Sequence, residues 1–468
     1  MTALWTSAEA EAATRGRSNR AWAAQGVSID SRSLTPGDLF VALQGPKFDG
    51  HDFLPDAFKQ GASAAMVARA GKAPESAALL SVADTQTGLE DLGRAGRARS
   101  AATVIAVTGS VGKTGTKEAL RRALEGQGAT HASSGSLNNQ WGVPLSLARM
   151  PRESAYGVFE LGMNHPGEID ALTRLVRPDV AVITTVEPAH LGFFASVEAI
   201  ADAKAEIFNG MEKRGAAVLN RDNPHFERLA AKAAKAGIGR IIGFGAHPEA
   251  TVRLIDCHLH ESASAVTASV MGEVVDYCLS LPGRHWVMNS LAVLAAVKAA
   301  GADAGAAAAA MATLEPLAGR GQRRKIAVPG GSALLIDESY NASPASMRAA
   351  ISVLGVAQTQ GAGRRIAVLG DMLELGDQSA RLHAELAVPL TEAGVDLVFT
   401  AGDAMRALDA ALPAKRRGAH AVNSAELAPL VAQALKPGDA VMVKGSYGSR
   451  MRDVVARLTS AKAEAEGR

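Results

Sequence analysis

The segment VTGSVGKTGTKEAL, residues 107–120, constrains the fold more than any other stretch of the chain. It follows the β-branched run TVIAV and leads into TKEALRRALEGQG, where apolar residues recur at helical spacing. A strand, a glycine-rich loop and a helix in this order surround an anion with backbone N–H groups and the positive end of the helix. The segment therefore predicts a phosphate-binding loop in a parallel α/β sheet.

The loop is shorter than the usual motif G-x-x-x-x-G-K-[ST], which would require glycine in place of Val107. Its first glycine is Gly109, so it reads G-x-x-G-K-T. Lys113 adds positive charge beside a phosphate, and the Thr114 hydroxyl is suited to Mg²⁺. An ordinary strand-to-helix turn would not need Gly-Lys-Thr. We expect the whole loop to bind a nucleotide: Gly109, Ser110, Val111, Gly112, Lys113, Thr114 and Gly115.

Length, charge and cysteine content exclude several classes of protein. At 468 residues the chain is too long for one ordinary core, so several domains are expected. Its 49 basic and 47 acidic residues leave a net charge of +2, which argues against nucleic-acid or membrane-surface partners. Cys257 and Cys278 lack C-x-x-C spacing, which indicates a reducing compartment without structural zinc. Because no long apolar run or signal-peptide pattern occurs, we expect a cytoplasmic protein without membrane insertion.

Three α/β blocks follow one another along the chain. Residues 1–100 contain two short apolar runs joined by TPGD, then a helix and a strand. Residues 101–321 alternate strand-like and helical runs, which predicts a parallel sheet with crossover helices and an appended antiparallel hairpin near VTASVMGEVVDYCLSL. Residues 322–468 give further short strands that end in small or acidic residues, as in a Rossmann-like domain. The predicted class is α/β with three domains, the phosphate loop in the central one.

Three further residues in the central block are candidate metal ligands. Glu160 and His190 follow strand-like runs, and ligands of open parallel sheets collect beyond the carboxyl ends of the strands. Each alone also fits an ordinary solvated or structural side chain. Lys204 falls on the apolar stripe of a helix capped by Ser196, so its charge must be paired, neutralised or carried to solvent along its stem. Loss of the charge by reaction with CO₂ would make a carbamate ligand for Mg²⁺, and the spacing leaves both readings open.

The chain resembles the Mur ligases, the ATP-dependent amide ligases that build the peptidoglycan stem peptide, over residues 25–455. The resemblance is carried by segments in the family's order: GSVGKTGTKE, SLNNQWGVP, ELGMNHPGEI, VEPAHLGFF with AKAEIF, GRHWVMNS, DESYNASP and VKGSYGSRM. The segments DESYNASP and LGDMLELG resemble the members that join D-alanyl-D-alanine to UDP-N-acetylmuramoyl-tripeptide. The resemblance therefore implies an acyl-phosphate mechanism with ATP, two Mg²⁺ ions and a carbamylated lysine, in a protein expected to be monomeric.

Residue roles are also implied by this resemblance. Lys113, His190 and Lys204 would be catalytic, with Thr114 and Glu160 on one Mg²⁺ and with His190 and carbamylated Lys204 on the other. The implied ATP contacts outside the loop are Asn289, Arg320, Asp337, Tyr340 and Asn341. The implied substrate contacts are Ser31, Arg32, Asp49, Gly50 and His51 in the first block, Asn138 and Asn139 in the second, and Lys444 and Ser446 in the third.

Two positions depart from the family pattern. Trp286 stands where the family commonly has Asn in G-R-H-N, and Gly115 stands where Ser is frequent. Two alternatives remain from the sequence. A folylpolyglutamate synthase shares the short loop but usually lacks a separate first domain of the VSIDSRSLTPGDLFVALQG kind. A P-loop NTPase with a motor or regulatory role would leave Lys204 and His190 unexplained.

Overall fold

The computed structural model describes residues 3–188 and 191–465. Its described strands form three main sheets and a two-stranded pair, and the mixed α/β architecture confirms the predicted fold class. No described helix is long and apolar enough to cross a membrane. We refer below to the first, central and third domains, after the three main sheets in chain order.

The first domain has helices on both faces of a mostly parallel sheet. Its strands are β1 (Trp5–Thr6), β2 (Arg17–Ser18), β3 (Ala23–Ala24), β4 (Gly26–Ser28), β5 (Asp38–Val41), β6 (Ala64–Val67) and β7 (Leu79–Ser81), in the sheet order β2-β7-β6-β5-β4 with β1 paired to β3. Its helices are α1 (Ser7–Thr14), α2 (Leu54–Lys59) and α3 (Thr85–Ala98). The Arg-rich segment 93–102 joins this domain to the next and is helical in α3 as far as Ala98.

The central domain is built on a long sheet in the order β16-β15-β14-β13-β12-β11-β8-β10-β9. Its strands are β8 (Thr103–Thr108), β9 (Thr130–Ala132), β10 (Tyr156–Glu160), β11 (Val180–Ile183), β12 (Ala216–Asn220), β13 (Arg240–Gly245), β14 (Val252–Leu259), β15 (Ser264–Val270) and β16 (Glu273–Leu279). Its helices are α4 (Lys113–Glu125), α5 (Gly142–Ala148), α6 (Glu168–Val176), α7 (Val197–Ala205), α8 (Phe226–Lys235), α9 (Arg284–Ala299) and α10 (Ala304–Ala310). Strands β8 to β14 pair in parallel, whereas β15 and β16 form the antiparallel hairpin predicted from the sequence.

The third domain is a second open sheet with helices on both faces. Its strands are β17 (Gln322–Val328), β18 (Gly331–Glu338), β19 (Arg365–Gly370), β20 (Leu397–Ala401), β21 (Arg417–Ala421) and β22 (Ala440–Lys444), in the order β17-β18-β22-β19-β20-β21. Its helices are α11 (Pro344–Gly355), α12 (Ser379–Ala384), α13 (Ala387–Glu392), α14 (Arg406–Ala411), α15 (Ser424–Ala434) and α16 (Arg452–Ala465). Strand β17 is antiparallel to β18, and the remaining pairs are parallel, as in a Rossmann-like sheet.

The topology determines where side chains can meet. Strand β8 lies between β10 and β11, so the turns that follow these three strands share one edge of the sheet. The phosphate loop follows β8, Glu160 ends β10, and Thr184 follows β11. Ligands of open α/β sheets bind beyond the carboxyl ends of the strands. The fold therefore brings the predicted phosphate and metal residues of the central block to one place.

Candidate active site

The phosphate loop joins β8 to α4 through two glycines in left-handed backbone conformations. Gly109 has φ +146° and Gly112 has φ +85°, conformations that a side chain would strain. A Cβ atom on Gly109 would also lie 1.9 Å from the Thr184 hydroxyl oxygen. The first backbone N–H groups of α4 have no partner within the helix, so the loop presents donors and the positive end of α4 to an anion. Lys113 Nζ donates to the Gly109 carbonyl at 2.8 Å.

The loop is fixed to the turn that follows β11. Ser110 N donates to the Thr185 carbonyl at 2.8 Å, and Ser110 Oγ donates to the Glu187 carbonyl at 3.0 Å. Thr184 Oγ1 donates to the Val111 carbonyl at 2.5 Å. These contacts hold the loop in a defined shape before any ligand binds. Thr184 was absent from the sequence prediction, although its position directly after a buried strand is a usable signal.

Glu160 is a buried carboxylate at the end of β10. Glu160 is only 1% exposed, and its Oε1 accepts a hydrogen bond from Asn138 Nδ2 at 2.7 Å. The other oxygen, Oε2, has no hydrogen-bond partner among the described residues. An unsatisfied buried carboxylate oxygen is costly unless a cation or another donor occupies the space beside it. Glu160 together with the Thr114 hydroxyl, on a helix that starts at the loop, therefore fits the hard oxygen ligands that Mg²⁺ prefers.

Lys204 is buried in α7, and Ser196 caps this helix as predicted, its Oγ accepting from Ala199 N at 3.3 Å. The lysine is only 2% exposed, and its side-chain amine has no hydrogen bond or ion pair to another described residue, although its backbone carbonyl accepts from Glu206 N. Burial, and then the positive charge of Lys113, hold the pKa of the Lys204 amine well below its ordinary value. The snorkelling alternative is not compatible with a side chain this buried. A larger fraction of the Lys204 side chain is therefore in the neutral amine form than for an exposed lysine.

The electrostatic couplings connect the same group of residues. Burial lowers the pKa of the Lys113 amine, while the charge of Glu160 raises it and the charge of Arg320 lowers it. Lys204, Lys113, Glu160 and Arg320 are therefore close enough to influence one another. His190, the remaining predicted metal ligand, lies outside the described residues. Among the described residues no group of three His, Cys, Asp or Glu side chains converges on one point.

Helix α9 lies against the start of α4. A Cβ atom on Gly112 would be 2.9 Å from Asn289 Oδ1, so the Asn289 amide lies directly beside the loop. A Cβ atom on Gly115, in the first turn of α4, would lie 2.6 Å from Cη2 of the Trp286 ring, so this ring lies directly against the helix. Asn289, predicted as an ATP contact, is thus next to the phosphate loop.

Arg320, Tyr340 and Asp337 lie where the third domain meets the central one. The Arg320 guanidinium stacks 4.2 Å above the centre of the Tyr340 ring, and its Nη2 donates to Ser136 Oγ of the central domain at 3.4 Å. Asp337 is buried, and its Oδ1 accepts from Ser339 N at 3.0 Å and from Ser339 Oγ at 2.6 Å. Asp337 therefore shapes the turn after β18 that presents Tyr340.

Lys444 is the last residue of β22 and Ser446 follows the strand, and both make contacts within the third domain. Lys444 Nζ donates to the Asn341 carbonyl at 3.0 Å and lies 3.3 Å from Glu338 Oε2. Ser446 Oγ accepts from Leu373 N at 2.9 Å. The exposed Asn341 side chain accepts from Ala342 N. These contacts join the turns after β18, β19 and β22 into one edge that lies beside Tyr340.

His285 was not predicted, yet it links the central domain to this edge. Burial lowers the pKa of the His285 imidazole, while the charge of Glu338 raises it and that of Lys444 lowers it. The histidine lies next to Gly283, whose Cβ position is 2.9 Å from Val353 Cγ2 of α11. The sequence contained no signal for this link, because the acidic partner Glu338 is distant along the chain.

The predicted substrate residues of the first domain form a separate cluster. Asp49 Oδ1 accepts from His51 N at 2.9 Å and from His51 Nδ1 at 2.6 Å, and Asp49 Oδ2 accepts from Arg69 Nη2 at 2.7 Å. Ala68 N donates to His51 Nε2, so the imidazole is neutral with its proton on Nδ1. The backbone amide of His51, its side chain and Arg69 hold the Asp49 pKa near 2.

The other predicted residues of the first domain differ in how closely they are packed and in how far they are exposed to solvent. A Cβ atom on Gly50 would lie 2.7 Å from the backbone N and O of Leu43, so glycine is required there. Ser31 is buried, whereas Arg32 is exposed and pairs with Asp30 at 2.7 Å. Arg32 is therefore the cation of this group that is accessible to a ligand.

Asn138 and Asn139 differ in what they contact. Asn138 holds Glu160, as described above, and its carbonyl accepts from Gly162 N at 2.8 Å. Asn139 Oδ1 accepts from Trp141 N at 3.2 Å and from Gly142 N at 2.9 Å, which satisfies the start of α5. Asn138 thus belongs to the site at the strand ends, and Asn139 orders the helix that follows.

A cavity of about 400 Å³ lies between the central and third domains. Its lining includes Glu187, which follows β11, and Asn220, which ends β12. His285 at the start of α9 and Ser352 of α11 also line it. The phosphate loop contacts the same turn after β11 through Ser110. The cavity is therefore placed to take the part of a nucleotide that extends from the loop.

Comparison with known proteins identifies similar chains along nearly the whole length. Three family models match: "Mur ligase family, catalytic domain" at residues 23–102, "Mur ligase middle domain" at 107–297 and "Mur ligase, glutamate ligase domain" at 319–447. The UDP-N-acetylmuramoyl-tripeptide–D-alanyl-D-alanine ligase of Escherichia coli (strain K12) is 36% identical over 92% of this chain and 93% of its own.

Solved structures agree with this result. The crystal structure of MurF from Acinetobacter baumannii has a TM-score of 0.84 and 31% identity, and the match covers 97% of this chain and 99% of that one. MurF ligase from Thermotoga maritima, crystallised in complex with ADP, has a TM-score of 0.77 and 28% identity, with 94% and 98% covered.

Proposed function

Because the chain belongs to the Mur ligase family, we propose that it is the ligase that joins D-alanyl-D-alanine to UDP-N-acetylmuramoyl-tripeptide at the expense of ATP. The reaction supplies the pentapeptide precursor of peptidoglycan. These substrates are inferred from the similarity to proteins named UDP-N-acetylmuramoyl-tripeptide–D-alanyl-D-alanine ligase, over nine-tenths of both chains. The geometry of the strand ends supports the chemistry.

The reaction proceeds in two steps. The terminal carboxylate of the tripeptide attacks the γ-phosphorus of ATP. ADP is the leaving group, and the tripeptide becomes an acyl phosphate. The amine of D-alanyl-D-alanine then attacks the activated carbonyl and loses a proton, and inorganic phosphate departs. The loop N–H groups and Lys113 stabilise the negative charge of the phosphoryl group during transfer. Lys113 would exchange its bond to the Gly109 carbonyl for one to the phosphate.

We propose that Thr114 and Glu160 hold one Mg²⁺ and that His190 and carbamylated Lys204 hold a second. The free oxygen of Glu160 and the neutral amine of Lys204 support this set. The Lys204 amine would attack CO₂ to form a carbamate and release a proton. Bound Mg²⁺ would offset the negative charge of the phosphates. Labelling with ¹³CO₂ should give a carbamate carbon signal that is absent from Lys204→Met, with turnover of that variant reduced at least about 100-fold.

The remaining residues define where each substrate lies. We propose that Asn289, Arg320, Asp337, Tyr340 and Asn341 line the ATP site, since they surround the loop and the junction with the third domain. The UDP-linked substrate would meet Ser31, Arg32, Asp49, Gly50 and His51, of which the exposed Arg32 suits a diphosphate. Asn138 and Asn139 would border the reacting carboxylate, and Lys444 and Ser446 would receive the dipeptide. The proposed domain limits are 1–100, 101–321 and 322–468, which separate the three main sheets.

Phosphate release tests the proposed function directly. The purified protein is incubated with ATP, Mg²⁺ and UDP-N-acetylmuramoyl-tripeptide, with D-alanyl-D-alanine added or withheld. Release should require both partners, and mass spectrometry should detect the pentapeptide product. Release that is indifferent to the dipeptide would contradict the proposal and favour another NTPase role. Release only with folate and glutamate would place the chain with the folylpolyglutamate synthases.

A further inference from the structure

Gly115 occupies a helical position that does not by itself require glycine. It is the third residue of α4, and it is absent from the positive-φ glycines of the chain. Glycine inside a helix costs about 1 kcal/mol relative to alanine, because more backbone freedom is lost on folding. The first turn of α4 carries the phosphate-binding N–H groups, so this cost falls on the part of the helix that must be well placed. Some contact outside the helix must therefore account for the glycine.

That contact is the indole of Trp286. A Cβ atom on Gly115 would lie 2.6 Å from Trp286 Cη2, closer than such atoms can approach, and 3.1 Å from Cζ3, which is a tight contact. The ring is rigid and half-buried, and it packs against the hydrophobic core of the central domain. It cannot move aside as the end of a flexible side chain would. The large residue on α9 and the absent side chain on α4 are therefore complementary.

Trp286 and Asn289 contact the start of α4 together. They are three residues apart on α9, and therefore on one face of that helix. Asn289 meets Gly112 at the end of the phosphate loop, and Trp286 meets Gly115 one turn of helix later. Two side chains of one rigid helix thus determine the distance from α9 to the loop.

We propose that Trp286 is a positioning residue of the nucleotide site, which fixes the start of α4 through its contact with Gly115. The ring determines where the loop N–H groups and Lys113 lie relative to Asn289. The inference rests on the proposed binding of ATP phosphates to this loop, and it adds a residue whose effect is on nucleotide affinity. Crowding this contact raises the KM for ATP, loosening it has only a small effect, and neither changes the KM for D-alanyl-D-alanine.

A double-mutant cycle tests the contact. Gly115→Ala adds only the Cβ atom, and Trp286→Phe removes the outer ring atoms that this Cβ would meet. In the wild-type background Gly115→Ala should raise the KM for ATP and the Kd for Mg-ADP about tenfold, a typical coupling between contacting residues. Trp286→Phe alone should change both by less than about threefold. In the Trp286→Phe background, adding Gly115→Ala should change them by less than about twofold.

Gly93→Ala is the matched control. Gly93 is also a helical glycine, in α3 of the first domain, and its Cβ position lies 3.0 Å from the Pro144 carbonyl at the interface of that domain with the central one. It should lower Tm without changing the KM for ATP, which separates lost stability from lost positioning. If Gly115→Ala alone does not fold, normal folding of the double variant supports the contact, and failure of both contradicts it.

The outcomes are distinct from those for the ligase reaction. An equal effect of Gly115→Ala in both backgrounds, or no effect in either, would overturn the proposal. An equal rise in the KM values for ATP and dipeptide would also overturn it, since it would indicate general damage. Mg-ADP binding is measured without the other substrates. The cycle therefore stays decisive even if the wild-type protein proves not to ligate the dipeptide.

Discussion

The first domain joins the central domain through a packed interface, which we call the first seam. Helix α3 lies against α5 so closely that a Cβ atom on Gly96 would be 2.3 Å from the Leu147 carbonyl. Trp5 Nε1 donates to the Ala148 carbonyl at 2.8 Å, and the Arg99 guanidinium stacks 3.9 Å above the Trp5 ring. Side chains from both domains share one hydrophobic core. Interiors packed in this way resist relative motion.

The third domain meets the central domain through polar contacts from loops and long side chains, which we call the second seam. The Arg320 guanidinium of the central domain stacks 4.2 Å above the Tyr340 ring of the third domain, and Arg323 Nη1 lies 3.3 Å from Glu261 Oε1. Gly192 N donates to the Glu374 carbonyl at 3.0 Å. Leu191 packs against the cores of both domains, but the second seam has no shared hydrophobic core comparable to that of the first seam among the described residues.

The difference between the seams indicates which part of the enzyme moves. The first and central domains are packed as one unit, which we propose as the platform for ATP and the UDP-linked substrate. We expect the third domain to close over that platform and to open again during each catalytic cycle. Closure would exclude water from the acyl phosphate, and opening would release the products. Motion at the second seam and rigidity at the first are separately testable.

The largest expected effect comes from locking the second seam. The Cβ position of Gly376 lies 3.3 Å from Gly192 Cα, so cysteines at both positions are within reach of a disulfide. The oxidised Gly192→Cys, Gly376→Cys variant should lose at least about 100-fold in multiple-turnover phosphate release, because each cycle needs opening and closure. Reduction with dithiothreitol should restore the rate. The oxidised wild-type protein, with Cys257 and Cys278 unpaired, is the control for oxidation itself.

A matched disulfide across the first seam should have no such effect. The Cβ position of Gly93 lies 3.2 Å from Pro144 Cβ, so cysteines there can also pair after a small shift. Oxidation of Gly93→Cys, Pro144→Cys should leave turnover within about twofold of the reduced form. Equal losses in both disulfide variants would contradict the contrast between the seams.

Removing the anchor of the first seam should cost stability and spare catalysis. Trp5 is 1% exposed, and Trp5→Ala deletes its ring, its hydrogen bond to Ala148 and its stacking with Arg99. The free energy of unfolding for the first transition in urea should fall by about 3 kcal/mol. At 15 °C the folded variant should keep kcat and KM for ATP within about threefold of wild type. A large loss of kcat with unchanged stability would mean that the first seam takes part in the catalytic motion.

The order of elements and the central site could be predicted from the sequence. Runs such as TVIAV and AAVLN become β8 and β12 because buried parallel strands need continuous apolar residues. The short loop predicted a phosphate site because Gly-Lys-Thr after a strand has few other uses. The antiparallel hairpin of β15 and β16 was predicted because polar residues interrupt its apolar runs.

Contacts between distant segments could not be predicted. Gly115 and Trp286 are complementary although they are 171 positions apart in the sequence, and each residue alone resembled a simple departure from a family pattern. The partners of Asp49 and Asn139 likewise depend on how loops fold back on local backbone. Tertiary packing determines such contacts, and a single sequence contains no direct signal for them.

A smaller effect is expected from Arg320 in the second seam. Arg320→Ala removes the stacking on Tyr340 and the bond to Ser136. We expect kcat/KM for ATP to fall about tenfold, with the free energy of unfolding changed by less than about 0.5 kcal/mol. Arg320→Lys keeps the charge but not the planar stack, so it should recover only part of the rate. A loss of stability with unchanged kcat/KM would show that the second seam is structural.

The smallest effect concerns the edge of the first seam, where Phe48 lies against Trp141 with ring centres 6.2 Å apart. The adjacent Asp49 has its pKa lowered from 3.8 to about 2 by His51 and Arg69. A lowered carboxyl pKa stabilises the fold above pH 3.8, and this contribution disappears as the pH falls towards 2. Asp49→Asn should therefore reduce the free energy of unfolding by about 1 kcal/mol at pH 6 and by less at pH 3, measured in urea. A constant difference at both pH values would mean that packing of the loop, and not the charge of Asp49, supports this edge of the seam.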